Sequence, residues 1–229
     1  MKKAVIGTAA GALALISLSG VYQWRKAWYP LPAKAKKGRK HIACIGDSIT
    51  FGAGVKNQKK DSYPAYLQKE LGETVQVINY GLSGRTVCID GDWPYTKEKN
   101  YRRIFNTDID LYIVMLGTND SKPYNWDGEN YEKDLKTFLN RFAGLKGKDA
   151  VIVMKPPKAF EVNGTVQYDI LEENILKELD MIDHISEELG IRVIDLHSYT
   201  ENHPEWFGDG VHPNAEGNRN IAEFIAEHI

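Results

Sequence analysis

Residues 41–52 read HIACIGDSITFG, an apolar run that ends in a glycine-bounded turn carrying Ser48. A short apolar run of this kind is typical of a strand that is buried on both faces of a parallel sheet. In open parallel sheets, ligands bind beyond the carboxyl ends of the strands. We therefore expect Ser48 to lie at the edge of the sheet where a functional site belongs.

The rest of the chain continues the pattern that this first strand begins. Short runs rich in Val and Ile alternate with stretches that carry apolar residues at helical spacing, which is typical of a parallel sheet covered by helices on both faces. The predicted strands are His41–Ile45, Val75–Tyr80, Leu111–Leu116, Ala150–Met154 and Ile191–Leu196, and the predicted helices are Tyr63–Leu71, Tyr131–Leu145, Leu171–Leu189 and a last one capped by Asn214. The sequence therefore predicts an α/β fold with a five-stranded parallel sheet.

The bulk composition limits the possible partners. The chain has 229 residues and a formal net charge of −2, so it has no global basic field of the kind that nucleic-acid binding usually requires. Its two cysteines, Cys44 and Cys88, do not have the spacing of metal ligands and are predicted to be free thiols. We expect one catalytic domain over residues 41–229 and no nucleic-acid partner.

The start of the chain differs from the rest. A short basic stretch precedes the uncharged run from Ala4 to Tyr22, which is long enough to cross a bilayer as a helix. Because small residues of the kind expected at a cleavage site are only weakly represented, residues 1–23 are predicted to be an uncleaved signal-anchor or transmembrane segment. Residues 24–40 are basic and aromatic, and they form either an interfacial belt with a basic stalk or an ordinary solvated linker.

Two sequence patterns disagree about the side of the membrane. More Lys and Arg residues follow the hydrophobic run than precede it, which favours a cytoplasmic catalytic domain. A basic start followed by an apolar run is also how exported proteins begin. We expect a membrane-anchored or secreted protein with an extracytoplasmic catalytic domain, while the charge pattern leaves the cytoplasmic face open.

Further motifs follow the predicted strands at the same edge as Ser48. Gly81 follows the second strand, Asn119 follows the third, and Asp209 stands shortly before His212 near the C-terminus. Taken singly, such motifs are ordinary turns, helix caps and surface loops. Together they place a nucleophile, hydrogen-bond donors and a carboxylate–imidazole pair at one edge of a sheet, which indicates nucleophilic catalysis by a serine.

These motifs occur in the order of a known family. From His41 to the C-terminus, the chain resembles the SGNH hydrolases, also called the GDSL lipase/esterase family. The matching blocks are Gly46-Asp47-Ser48, Gly81, Gly117-Thr118-Asn119-Asp120 and Asp209-Gly210-Val211-His212. The resemblance implies a three-layer α/β/α sandwich of the flavodoxin-like kind and a chemistry that needs neither a metal nor an organic cofactor.

The resemblance also implies a role for each matching residue. Ser48, Asp209 and His212 would form a catalytic triad in which His212 is the general base and Asp209 orients the imidazole. The backbone N–H groups of Ser48 and Gly81 and the side-chain amide of Asn119 would bind the oxyanion.

Other polar residues are expected to have structural roles or to lie elsewhere. Asp47 points away from the neighbouring nucleophile in an extended strand tip, so we expect it to be structural. Asp120 is expected to anchor its own loop. The histidines that follow no suitable strand are expected to lie outside the site: His184, His197 and His203.

The substrate class rests on residues in loops. Trp93 and Trp126 would offer flat apolar surface to a sugar ring or an acyl chain, or would simply pack their loops. Arg85 would either bind a substrate carboxylate through its planar fork or brace its own loop. Residues 81–86 read GLSGRT, which is similar to the small-acyl and carbohydrate acetylesterases of the family. We therefore expect hydrolysis of short-chain esters, mainly acetyl esters, of a carbohydrate or small molecule.

Three alternatives remain open at this point. The hydrophobic N-terminal segment would suit a lysophospholipase or thioesterase that acts on longer acyl chains at a membrane. An acyl-enzyme whose pocket excludes water would transfer the acyl group to an alcohol instead. A non-catalytic glycan-binding protein would keep the fold but lose a triad or oxyanion residue, and none of these residues is lost here.

Overall fold

The computed structural model of the protein describes residues 30–229, so the predicted membrane segment at residues 1–23 lies outside the described residues. The main sheet consists of strands β1 (Lys40–Gly46), β2 (Val75–Asn79), β3 (Leu111–Met115), β4 (Val151–Lys155) and β7 (Arg192–Asp195). These strands are all parallel and lie in the order β2-β1-β3-β4-β7. The predicted five-stranded parallel sheet is therefore confirmed, with every strand end within one residue of its predicted position.

A small antiparallel hairpin follows β4 and was not predicted. It consists of β5 (Glu161–Val162) and β6 (Thr165–Val166). Asn163 and Gly164 form its turn, and both have positive φ, of 56° and 82°. Asn-Gly is a strong hairpin signal because both residues tolerate this left-handed backbone.

Helices cover both faces of the main sheet. They are α1 (Ser48–Phe51), α2 (Gln58–Asp61), α3 (Tyr63–Leu71), α4 (Lys99–Ile104), α5 (Gly128–Lys146), α6 (Glu172–Leu189), α7 (Leu196–Thr200) and α8 (Ala215–Glu227). Asn214 caps α8 as predicted, since its side chain accepts a hydrogen bond of 3.0 Å from the Gly217 N–H. The short helices α1, α2, α4 and α7 were not predicted, because fewer than two turns carry no readable periodicity.

Two separate hydrophobic cores make the fold a three-layer α/β/α sandwich. Neighbouring residues of β3 point to opposite faces, as the pleat requires. Val114 packs with Phe138 of α5 on one face, and Ile113 packs with Leu67 of α3 and Ile225 of α8 on the other. The expected architecture is confirmed. It places the carboxyl ends of β1 and β3 side by side.

The segment before β1 is held against the sheet. The Lys36 N–H donates to Gln76 Oε1 at 2.7 Å, and Gln76 Nε2 donates to the Lys34 carbonyl at 2.9 Å. The compact unit accordingly begins at Pro32, before the predicted domain start at His41. Within residues 30–229, no helix is long and apolar enough to span a membrane.

A cavity of about 750 Å³ opens at the amino ends of the strands. His41, Asp108 and Asp110 contribute to its lining. Because β1 runs from Lys40 to Gly46, this cavity and Ser48 lie at opposite ends of the same strand, roughly 20 Å apart. The cavity is therefore separate from the site expected at the carboxyl edge.

Candidate active site

Ser48 is presented by a tight connection between β1 and α1. Asp47 caps the helix, because its Oδ1 accepts a hydrogen bond of 2.9 Å from the Ile49 N–H. Glycine is required at position 46, directly before Asp47, since a Cβ atom there would lie 2.5 Å from the Met115 carbonyl oxygen. Ser48 is consequently the first residue of α1, where the backbone N–H has no partner within the helix.

Ser48, His212 and Asp209 form one continuous hydrogen-bonded chain. His212 Nε2 lies 2.8 Å from Ser48 Oγ, and His212 Nδ1 lies 2.8 Å from Asp209 Oδ2. Because Nδ1–H can only donate to the carboxylate, Nε2 is left to accept the proton of Ser48 Oγ. The structure thus brings together the three residues of the expected triad, across 164 positions of sequence between Ser48 and His212.

The Asp209 carboxylate is fixed by its own loop. Asp209 Oδ1 accepts hydrogen bonds from the Val211 N–H at 3.0 Å and the His212 N–H at 2.7 Å. Partial burial acts to raise the pKa of Asp209, but the hydrogen bonds from the side chain and backbone of His212 outweigh it and hold this pKa well below its usual range. Asp209 is therefore a carboxylate wherever the imidazole can act as a base.

Asn119 follows β3 and contacts the loop that carries Ser48. Its Nδ2 donates to Asp47 Oδ2 at 3.2 Å and to the Arg85 carbonyl at 3.3 Å. Asn125 Nδ2 in turn donates to the Asn119 carbonyl at 2.9 Å. Both bonds from Asn119 Nδ2 are long, so this amide is oriented towards the site without being strongly committed to either acceptor.

Gly81 does not have the free N–H that was expected of it. Its N–H donates to Asn79 Oδ1 at 2.8 Å. A Cβ atom at this position would collide with the backbone of Thr50 and Phe51. Glycine is therefore needed here because the loop packs directly on α1, and not because a ligand approaches the backbone.

Gly84 is the second glycine of the same loop. It has a φ of +81°, and a Cβ atom there would meet no heavy atom within 4 Å. Among residues 30–229, the Gly84 N–H makes no hydrogen bond. Gly84 directly precedes Arg85, whose carbonyl accepts a hydrogen bond from the Asn119 side chain. Residues 81–84 contain both glycines, and local pattern alone does not tell which of the two turns its N–H towards the site.

Arg85 braces its own loop. It is fully buried, its Nη1 donates to the Ser83 carbonyl at 2.6 Å, and its Nε and Nη2 donate to Glu98 Oε1 at 3.1 and 2.6 Å. Its guanidinium also lies 4.9 Å from the ring centre of Trp93. These contacts support the alternative in which Arg85 braces its loop, and a role as ligand for a substrate carboxylate stays a prediction.

The two tryptophans expected near the substrate differ in their surroundings. Trp93 is 39% exposed and packs on Arg85. Trp126 is half-buried, with its ring centre 6.4 Å from that of Tyr131 and 5.6 Å from Lys177 Nζ. Trp93 is therefore partly exposed beside Arg85, whereas Trp126 is engaged in packing.

Buried carboxyl groups lie beneath the site. Asp120 accepts from the N–H groups of Val87 and Cys88 at 3.0 and 2.9 Å, so it anchors the neighbouring loop as expected, and burial raises its pKa to about 7. Glu178 is fully buried, and neither of its carboxylate oxygens has a hydrogen-bond partner in the part of the chain that the structure describes. Burial raises the pKa of Glu178 well above its usual range, which favours the protonated form of this carboxyl group.

The three histidines expected to lie outside the site pair with glutamates elsewhere in the molecule. His184 lies 2.9 Å from Glu132, His197 lies 2.7 Å from Glu172, and His203 lies 2.9 Å from Glu205. The structure thus keeps them out of the Ser48 chain. In the described ranges of the chain, no cluster of His, Cys, Asp or Glu side chains has the arrangement of a metal site.

Tyr168 is a residue at the site that sequence reasoning missed. Its Oη donates to Asp209 Oδ2 at 2.9 Å, and its ring meets the imidazole of His212 edge to face, with 5.1 Å between ring centres. The Asn163-Gly164 pair was a usable signal for the hairpin that brings it there. The contact itself joins residues 41 positions apart and has no local signature.

A Ser–His–Asp chain at the carboxyl edge of a parallel α/β/α sandwich is the site of a serine hydrolase. The chain belongs to the GDSL-like lipase/acylhydrolase family, whose model matches residues 44–219. An acetylxylan esterase from Xylanibacter ruminicola is 31% identical over 231 residues, which cover 93% of this chain and 47% of that protein. The chain thus spans about half the length of this curated relative.

Solved structures support the same fold. The aryl esterase of M. smegmatis matches with a TM-score of 0.67 and 22% identity, covering 82% of this chain and 97% of that one. Est24, a carbohydrate acetylesterase from Sinorhizobium meliloti, matches with a TM-score of 0.67 and 19% identity, covering 83% and 98%. At these identities the likeness establishes the architecture.

Proposed function

We propose that the protein is a serine esterase that hydrolyses short-chain esters, acetyl esters above all, of a carbohydrate or another small molecule. The observation that carries this proposal is the chain of two 2.8 Å contacts from Ser48 Oγ through His212 to Asp209. Membership of an acylhydrolase family supports the same reaction class.

The reaction follows from the donor and acceptor roles of the chain. His212 Nε2 takes the proton of Ser48 as Oγ attacks the ester carbonyl, and then gives that proton to the departing alcohol oxygen. The Ser48 Oγ–acyl bond has then replaced the bond from acyl to alcohol. A water molecule deprotonated by His212 attacks the acyl-enzyme, and its collapse releases the carboxylic acid and returns the proton to Ser48. Asp209 holds the imidazole tautomer and stabilises the imidazolium in both halves.

Three donors are proposed for the oxyanion. They are the N–H of Ser48 at the first position of α1, the Nδ2 of Asn119 and the N–H of Gly84. Gly84 takes the place given to Gly81 from the sequence, because the Gly81 N–H is already bound to Asn79 Oδ1. Each such donor is typically worth on the order of a hundredfold in rate.

The acyl group and the alcohol are proposed from the relative named acetylxylan esterase. The test uses the full-length chain on p-nitrophenyl acetate and octanoate, on acetylated xylo-oligosaccharides and on a lysophospholipid. We expect turnover of the acetyl esters and loss of this turnover in Ser48→Ala. Faster turnover of octanoate and lysophospholipid would show a long-chain enzyme instead. Binding of the xylo-oligosaccharide that is equal in wild type and Ser48→Ala, with no turnover by either, would show a glycan-binding protein.

Hydrolysis is proposed over transfer, and the same assay separates them. Added methanol or glycerol should leave acetate as the main product if water attacks the acyl-enzyme. Acetyl transfer to the alcohol in excess of free acetate would contradict the hydrolase proposal.

Membrane attachment through residues 1–23 is a separate proposal, supported by the uncharged run from Ala4 to Tyr22. It places the catalytic domain outside the cytoplasm, in contact with surface or extracellular glycans. Alkaline extraction of membranes and protease accessibility in intact cells test both points. Release of the chain by alkali, or protection of the domain in intact cells, would contradict them.

A further inference from the structure

Tyr168 lies on a turn that the surrounding structure must hold in place. The turn Gln167–Asp169 follows β6, and within it Tyr168 has φ 63° and ψ 25° while Asp169 has φ 59°. Two successive non-glycine residues in the left-handed region are unfavourable in a free loop. The conformation therefore depends on contacts that the turn makes elsewhere.

The hairpin is clamped to the loop that carries Asp209. The Phe160 N–H donates to the Gly210 carbonyl at 2.8 Å, and the ring of Phe160 lies 5.3 Å from that of Phe207. Gly210 has a φ of +82°, and a Cβ atom there would collide with the Phe160 carbonyl. Phe207 and Gly210, which lie on either side of Asp209, thus both contact Phe160 at the start of the hairpin.

The two ends of the segment that carries the hairpin, Ala159 and Glu172, are joined to each other and to His197. Glu172 Oε2 accepts from the Ala159 N–H at 2.9 Å, and Glu172 Oε1 lies 2.7 Å from His197 Nε2. Glu172 begins α6, so this carboxylate joins the start of the hairpin segment to its end. Tyr168 is consequently carried by a segment that is fixed on both sides.

Tyr168 completes the hydrogen bonding of the triad carboxylate. Asp209 Oδ1 accepts from two backbone N–H groups of its own loop, and Oδ2 accepts from His212 Nδ1 and from Tyr168 Oη. Burial and the hydrogen bond to Asp209 raise the pKa of Tyr168, so the phenol stays protonated and remains a donor. Tyr168 shares one carboxylate oxygen with the general base.

From this sharing we infer that Tyr168 is a positioning residue of the active site, which orients Asp209 and draws part of its charge away from His212. The inference rests on the proposed function of Ser48, His212 and Asp209. A second donor on Oδ2 competes with His212 Nδ1 for that oxygen and so weakens the pull of the carboxylate on the imidazole.

Other charged groups also face the imidazole and have to stay unchanged in the test. Asp47, on the nucleophile loop, interacts electrostatically with His212, and Lys122 interacts with Asp47. From the Asp209 loop and the hairpin, the groups that face His212 are Asp209 and Tyr168. A substitution confined to the Tyr168 hydroxyl leaves all of the others in place.

The test is Tyr168→Phe, which keeps the ring and removes the hydroxyl. Tyr199→Phe is the matched control, because it removes a phenol that bonds to the Asn220 carbonyl at 3.4 Å, away from the triad. With p-nitrophenyl acetate, we expect Tyr168→Phe to lower kcat about three- to tenfold with little change in KM, the range expected for the net contribution of one ordinary, solvent-exposed hydrogen bond. We also expect the acid limb of its kcat/KM profile to move to higher pH.

A second readout is independent of activity. The low-field NMR resonance of the His212 Nδ1 proton, assigned by its absence from His212→Gln, should move in Tyr168→Phe and stay in Tyr199→Phe. An unmoved resonance together with an unmoved pH profile would overturn the inference. A protein without esterase activity whose resonance moves in Tyr168→Phe would contradict the proposed function and leave the positioning role standing.

Discussion

Asn119 and Asp47, which come from two neighbouring strand ends, are joined by a hydrogen bond of 3.2 Å from Asn119 Nδ2 to Asp47 Oδ2. The other oxygen of Asp47 caps the helix that begins with Ser48. One buried carboxyl group therefore contacts both the helix that begins with Ser48 and the side chain of Asn119, the proposed oxyanion donor. Burial raises the pKa of Asp47 to about 6, so this link is formed by a carboxylate only above that pH.

Replacing Asn119 tests its part in the reaction. Asn119→Ala removes the side-chain donor, and we expect kcat to fall on the order of a hundred- to a thousandfold with KM nearly unchanged, because the oxyanion forms only in the transition state. Steady-state kinetics with p-nitrophenyl acetate measure this. Asn140→Ala, at an exposed position of α5, is the control and should keep wild-type kcat. A similar loss in both variants, or none in Asn119→Ala, would contradict the assignment.

The two glycines of the second loop should respond differently to alanine. Gly81→Ala forces a collision with the backbone of Thr50 and Phe51, so we expect a large fall in Tm or loss of folding. Gly84→Ala has open space but a left-handed backbone, so we expect a loss of about 1 to 2 kcal/mol in the free energy of unfolding and a lower kcat in a folded protein. Thermal melts measure the stability of both variants, and steady-state kinetics measure their kcat. Wild-type Tm for Gly81→Ala would show that the loop does not pack on α1 as described.

Glu178 should make the protein less stable as pH rises. Its pKa is raised in the folded state, so its favourable contribution is complete below the unfolded pKa of about 4.3 and is lost progressively as pH rises towards the folded value. We expect Glu178→Gln to lose less free energy of unfolding than the wild type between pH 5 and pH 8. Denaturant titrations at several pH values measure this.

The matched control for this prediction is Glu187→Gln, an exposed position on the same helix. It should leave the pH dependence of unfolding unchanged. Asp47 and Asp120 have pKa values raised to about 6 and about 7, so the wild type and both variants keep a residual slope of the same sign. Equal slopes for wild type and Glu178→Gln would contradict the raised pKa of Glu178.

Arg85 should behave as a structural brace. Arg85→Lys loses the planar fork that binds Glu98 and Ser83 together, and we expect a destabilisation of about 2 to 4 kcal/mol. We also expect lower kcat on neutral esters, because the Arg85 carbonyl helps to hold Asn119. Arg102→Lys, at an exposed position of α4, should match the wild type. Lost activity confined to acidic substrates would instead indicate a substrate ligand.

Much of this site could be read from the sequence because its parts are local. The apolar run before Ser48 specifies a buried strand, and the residue after a parallel strand lies at the functional edge whatever the rest of the chain does. Asp209 and His212 lie three positions apart, so one loop brings them together. These local features account for the agreement on the strands, the helices α3 and α8, and the Ser48–His212–Asp209 chain.

The features that sequence reasoning missed depend on contacts between distant segments. The packing of residues 81–86 on α1 decides which partners their polar groups find. It turns the Arg85 side chain to Glu98, and it gives the Gly81 N–H a partner while leaving that of Gly84 without one in the described chain. Tyr168 reaches Asp209 through a hairpin with strands of two residues, too short to show an alternating pattern. Pairwise geometry of this kind is not encoded in composition or periodicity.

The hydrogen bonds between Gln76 and the backbone of Lys34 and Lys36 also determine where the chain can be cut. His41 Nε2 lies 3.0 Å from the Lys36 carbonyl, so the same short stretch contacts β1 as well as β2. A shortened form that starts at His41 would leave the buried Gln76 amide without these partners. It would also remove the Lys36 carbonyl that contacts the His41 imidazole. A fragment that keeps these contacts therefore has to include Lys34, several residues before the first strand.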